Sequence, residues 1–145
     1  MRTMLLMAFA ATLALTGCAT NRISDAERLD IYRAHAGAPV PSFRYYTALN
    51  GWTPLGDSAV AVWARHNDVY LLELNGRCPD LDFAQAISVT SQMGTVHARF
   101  DKVMVLDSNM VTMPCQIREI RPVDIKAIRH AESDRRALAQ PSGGT

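Results

Sequence analysis

Ser58 to Leu74 reads SAVAVWARHNDVYLLEL. Two apolar runs, Ser58–Arg65 and Val69–Leu74, flank the polar triplet His66-Asn67-Asp68. Each run is short, rich in valine, leucine and aromatic residues, and bounded by turn formers, which is the pattern of a strand. The triplet is short enough to turn the chain back on itself, so the stretch predicts an antiparallel hairpin.

Upstream, Phe43, Tyr45, Thr47 and Leu49 alternate with Arg44, Tyr46 and Ala48, and Asn50-Gly51 gives a tight-turn signal. Trp52 to Leu55 follows, and Gly56-Asp57 turns again before the hairpin. Downstream, Asn75-Gly76 breaks the second strand, and Pro79 to Ala86 leaves room for a short helical turn. Ala86–Ser91, Val96–Phe100, Lys102–Leu106 and Val111–Arg121 read as further strands, and Pro114 marks an edge or a bulge in the last. Six or seven short strands at this spacing predict an antiparallel meander or a small barrel-like sheet.

A helix is expected at each end. Ser24-Asp25-Ala26-Glu27 matches a capping box, Ala26, Leu29, Tyr32 and Ala36 share one helical face, and Gly37 and Pro39 close it. Pro122 and Asp124 open a final helix with Ile125, Ile128 and Leu138 as sparse apolar positions. The expected class is therefore α+β. The expected plan is one domain over residues 25–139, with a disordered tail at 140–145.

The chain begins with Met1-Arg2-Thr3 and an apolar run from Met4 to Leu15. A short positive end before such a run is the layout of a secretory signal peptide, and about 12 residues fall short of the roughly 20 that span a bilayer. Leu15-Thr16-Gly17-Cys18 directly after it resembles the lipobox of bacterial lipoproteins, in which the cysteine becomes the first residue of the mature chain. The resemblance implies cleavage after residue 17, fatty acylation of Cys18 by palmitate or a similar chain, and a tether over residues 18–24. Two or more acyl chains hold a domain stably at a membrane, where one does so only marginally. Ala19 follows Cys18, and by resemblance to enterobacterial lipoproteins this favours the outer membrane, with the domain facing the periplasm.

Three cysteines in an exported chain leave one over. Giving Cys18 to lipid leaves Cys78 and Cys115, for which a disulfide is the economical reading in an oxidising compartment; a metal or redox site is the rival. Removing residues 1–17 takes away Arg2 and leaves 14 basic and 14 acidic side chains. A neutral domain does not carry the basic face that nucleic-acid binding needs, so nucleic acid is not an expected partner.

No catalytic constellation stands out. Gly56-Asp57-Ser58 resembles the nucleophile block of the GDSL-type esterases, but their late Asp-x-x-His is missing, so a backbone-bonding turn competes with a Ser58 nucleophile. His35, His66, His97 and His130 are scattered without metal-site spacing, and Glu73 has no second carboxylate beside it in sequence. Tyr45, Tyr46, Trp52, Trp63 and Tyr70 suit either cross-strand packing or a ligand face. The late arginines and lysine, Arg118 to Arg136, interleave with acids as on a solvated helix face. No cofactor is implied.

The run His35 to Val40, Trp52, Tyr70-Leu71-Leu72, Cys78, Phe100 to Val103, Cys115-Gln116-Ile117 and Arg121-Pro122-Val123-Asp124 is similar to a family of small proteobacterial lipoproteins catalogued only as a domain of unknown function. That resemblance implies an exported domain with two cysteines in these places, and no activity. The expectation is a non-enzymatic envelope lipoprotein, held by membrane lipid through Cys18, whose domain is structural or binds an envelope protein or a small ligand. A serine hydrolase using Ser58 and a metal-handling protein are the alternatives.

Overall fold

The computed structural model describes residues 22–107, 110, 111 and 113–140. The expected signal peptide at 1–17, the expected lipidation site Cys18, residues 18–21 of the expected tether and residues 141–145 of the expected tail lie outside them. Helix α1 (Asp25–Ala34) starts at the expected capping box: Ser24 Oγ accepts from the Glu27 amide at 3.2 Å, and Glu27 Oε2 accepts from the Ser24 amide at 3.1 Å. Leu29 and Tyr32 are buried, whereas Ala26 is exposed.

Nine strands follow among the described residues: β1 (Ser42–Arg44), β2 (Gly51–Pro54), β3 (Ala59–Trp63), β4 (Val69–Leu74), β5 (Ala86–Val89), β6 (Thr95–His97), β7 (Lys102–Asp107), β8 (Met110–Val111) and β9 (Cys115–Val123). Helix α2 (Ile125–Ala139) ends the described chain, its first turn capped by Asp124 Oδ1, which accepts from the Lys126 and Ala127 amides at 3.0 Å each. The main sheet is antiparallel with order β2-β3-β4-β9-β7-β5, and β8 also pairs with β7. The fold is α+β. Its sheet stays open rather than closing into a barrel, and β9 enters between β4 and β7, so the order is not a plain meander.

The hairpin quoted above is the centre of this sheet. Val60 stands opposite Leu72 and Trp63 opposite Val69, and the Ala64 amide closes the turn onto the Asp68 carbonyl at 3.0 Å. Both strands are apolar on both faces because both faces are covered. Val60, Val62, Leu72 and Leu74 face a core completed by Phe43, Val96, Val103, Ile117 and Ile120. Ala59, Ala61, Val69 and Leu71 face the helices, meeting Leu29 and Tyr32 of α1 and Ile125 and Ile128 of α2. Ion pairs Arg135–Glu27 (2.6 Å) and Arg28–Glu132 (3.5 Å) join the two helices at their exposed side.

Several expected strands are shorter than their sequence pattern suggests: Ser58–Arg65 is a strand over β3 alone and Ala86–Ser91 over β5 alone. The Phe43–Leu49 run is a strand only over β1, which pairs with β6 in a separate two-stranded sheet and not with β2. Asn50-Gly51 is therefore no hairpin turn; the Asn50 amide bonds the Trp63 carbonyl at 2.7 Å, and β2 begins at Gly51. The Val96–Phe100 run ends as a strand at His97. The expected irregularity at Pro114 is present. Continued in step, the Leu106–Val111 pairing of β7 and β8 would set Pro114 opposite Val103, yet Cys115 takes that place. The expected Val111–Arg121 strand is thus two strands, β8 and β9, and Pro114, which has no amide to give to a ladder, lies outside both.

Candidate functional site

Strand β9 changes neighbours along its length. Cys115 and Gln116 pair with β7, while Ile117 to Val123 pair with β4. On the edge that β7 leaves, Ile117 is met by a turn: its carbonyl accepts from the Arg99 amide at 2.7 Å, and its amide donates to the Asp101 carbonyl at 3.0 Å. Further along, the Ile120 and Pro122 carbonyls accept from the Val40 and Gly37 amides, each at 2.8 Å. A groove of about 510 Å³ opens between these two sets of bonds, lined by Pro39–Pro41, His97–Phe100 and Arg118–Ile120. Clefts of this size, mixing apolar surface with a few polar groups, are the usual form of a small-ligand site.

The turn at the groove is rigidly held. Asp101 is 5% exposed; its carboxylate accepts from the His97 amide at 2.7 Å and from Thr90 Oγ1 at 2.6 Å. Thr90 Oγ1 in turn accepts from the Lys102 amide at 2.9 Å. The Ala98 amide donates to the Pro41 carbonyl at 3.0 Å, and Gln116 Nε2 donates to the Arg99 carbonyl at 2.6 Å. Arg99 sits at φ 70°, a left-handed conformation that costs a residue with a Cβ roughly 1–2 kcal/mol. The surrounding bonds hold it there, and the turn presents Arg99 and Phe100 outward, Phe100 at 76% exposure.

The charges beside the groove follow from an irregularity in β9. Glu73 stands opposite Glu119, but Leu74 stands opposite Ile117, so Arg118 is the extra residue of a bulge. Arg118 bonds Glu73 through Nη2, and Arg33 of α1 reaches the same carboxylate through Nε at 3.0 Å. Glu119 is bonded by Arg121. Burial pushes the Glu73 carboxyl up, but the hydrogen bonds and charges of Arg33 and Arg118 outweigh it and hold it below its ordinary value.

The residues singled out from sequence fall elsewhere, with one exception. Cys78 and Cys115 are joined in a disulfide with Cα atoms 5.6 Å apart, which ties the segment after β4 to the start of β9. Ser58 lies in the turn before β3, where its carbonyl accepts from the Leu74 amide at 2.9 Å; no hydrogen bond links it to a histidine among the described residues. Its neighbour Asp57 pairs with Arg77. Among the described residues no group of three or more His, Cys, Asp or Glu is placed to hold a metal. Of the aromatics, Tyr70 stacks on Phe43 at 4.5 Å, Tyr45 and Trp52 pack on the same core, and Trp63 packs on the helix side. Tyr46 is exposed, with the Arg65 guanidinium 5.0 Å above its ring.

His97 is the exception, a half-buried member of the groove. Arg99, Phe100, Arg118 and the Pro39–Pro41 segment escape the sequence reading as site residues, because what unites them is the splitting of the sheet. Asp101, a carboxylate at the head of the apolar Val103–Val105 strand, is the only local hint that this turn is built around a buried charge.

No described helix is long and apolar enough to cross a membrane. No curated protein and no solved structure matches the chain. The model of a family of unknown function, DUF6491, matches residues 1–139, and the chain belongs to that family.

Proposed function

We propose that this protein is a cell-envelope lipoprotein whose domain binds a small ligand in the groove between Pro39–Pro41 and His97–Phe100. Residues 1–17 direct export, Cys18 carries the acyl chains, and the domain faces the periplasm from the inner leaflet of the outer membrane. The observation that carries the binding reading is the construction of the groove: a buried Asp101 and a left-handed Arg99 fix its wall where the sheet divides. Strain held at one residue by surrounding bonds is a mark of functional placement.

The anchor rests on Leu15-Thr16-Gly17-Cys18 following an apolar run, and on the similarity to small proteobacterial lipoproteins. The Cys78–Cys115 disulfide suits an oxidising compartment. Metabolic labelling with an alkyne palmitate analogue tests the anchor. Label on the wild type that disappears in Cys18→Ala is expected; an unlabelled wild type, or label that survives the substitution, would contradict it.

A further inference from the structure

Taking the groove as the binding site, we infer that its ligand carries an anionic group, met by Arg99, on an apolar body that lies against Phe100. The charges decide the first half. Arg118 is engaged by Glu73 and Glu119 by Arg121, whereas Arg99 has no ion-pair partner among the described residues. Of the two arginines that line the groove, Arg99 is therefore the one that no carboxylate among the described residues engages. A guanidinium presents paired donors in a plane, which fits a carboxylate or a phosphate with two parallel bonds.

The backbone decides why that arginine is there. At φ 70° glycine is strain-free and arginine is not, so turn geometry alone would favour glycine. Both the amide and the carbonyl of Arg99 are bonded, to Ile117 and Gln116, which fixes the direction in which its side chain leaves. The backbone is thus fixed before the ligand arrives, and only the side chain has to be ordered on binding. The second half rests on Phe100, 76% exposed beside Arg99, with Pro39, Val40 and Pro41 also lining the groove. An aromatic ring and three aliphatic side chains next to one free cation complement a ligand that is apolar except for its acid.

Equilibrium dialysis of the full chain in detergent, against N-acetylphenylalanine, its neutral amide and phenyl phosphate, tests this. Both anions should bind, and the amide should bind about tenfold more weakly or worse, the size of a lost charge-assisted hydrogen bond. Tighter binding of phenyl phosphate assigns the anion as phosphate, and tighter binding of N-acetylphenylalanine assigns it as carboxylate. Arg99→Gly should bring the anions down to the level of the amide while its melting temperature stays the same or rises, since glycine relaxes the turn. Equal binding of acid and amide overturns the inference and leaves the groove reading standing, as does an Arg99→Gly chain that binds anions like the wild type. Failure of all three probes overturns both.

Discussion

Glu73 on β4 stands directly opposite Glu119 on β9, two carboxylates paired across the centre of the sheet. Like charges in that position repel. The pair is tolerated because Arg33 and Arg118 bond Glu73 and Arg121 bonds Glu119. Glu73 is only 6% exposed, while its arginine partners are about half exposed. The cluster ties α1 to the sheet and holds Arg118 at the groove.

Replacing Glu73 by glutamine should therefore destabilise the domain by about 1–2 kcal/mol, below the figure for a fully buried pair because both arginines reach water. The carboxyl is held below its ordinary value of 4.5, so the folded state favours the charged form. Its contribution is present above pH 4.5 and is lost as pH falls below that through the folded value. Urea denaturation at pH 7 and in steps below pH 4.5 should show the wild type and Glu73→Gln converging in acid. A constant gap between them would refute this.

Tyr32 gives the opposite dependence. It is buried among Leu29, Ile125 and Ile128, and that burial, with the nearby Glu132 charge, pushes its hydroxyl up to about 12 from 10.0. The folded state holds the proton longer than the unfolded state does. Its contribution is complete below pH 10 and is lost as pH rises toward 12, by roughly 2–3 kcal/mol. Tyr32→Phe should flatten the alkaline limb of a pH–melting curve, and an unchanged limb would exclude Tyr32 as its source.

The disulfide closes a loop of about 38 residues, worth roughly 4 kcal/mol in the chain-entropy model. Cys115→Ser should lower stability by an amount of that order in chemical denaturation, and reductant should destabilise the wild type but not the variant. Because Cys78 is fully buried, Cys78→Ser should cost more than Cys115→Ser. Equal losses would show that only loop closure matters.

Two glycines separate strain from collision. Gly94 has φ 76°, and a Cβ there would lie 2.6 Å from the Tyr45 carbonyl oxygen, backbone that cannot swing aside. Gly56 has φ 84° with open space around it. Gly56→Ala should cost about 1 kcal/mol for conformation alone, and Gly94→Ala clearly more, about 2–4 kcal/mol, with the β1–β6 pair loosened. Thermal denaturation of the two variants checks the order.

The sequence shows what is local. The hairpin at Ser58–Leu74 is legible because its residues are apolar and bounded by turn formers. The caps at Ser24 and Asp124 are legible because each serves amides two or three residues away. The pairing of β1 with β6 joins segments about fifty residues apart, and no periodicity announces it. Alternation misleads at His97–Phe100, where the buried Asp101 carboxylate takes the His97 amide and turns the chain. The groove depends on that turn, on the Arg118 bulge and on Val40 lying beside Ile120, three relationships that exist only after the sheet has formed. The local elements were therefore legible, whereas the groove, like the β1–β6 pairing and the place of β9, was not.

Export and acylation of the domain can both be read from the intact mass of the protein extracted from membranes without reductant. The expected result is a chain that begins at Cys18, heavier by its acyl groups, with Cys78 and Cys115 refusing a thiol alkylator. A chain that retains residues 1–17, or a Cys18 without added mass and two alkylated thiols, would contradict it.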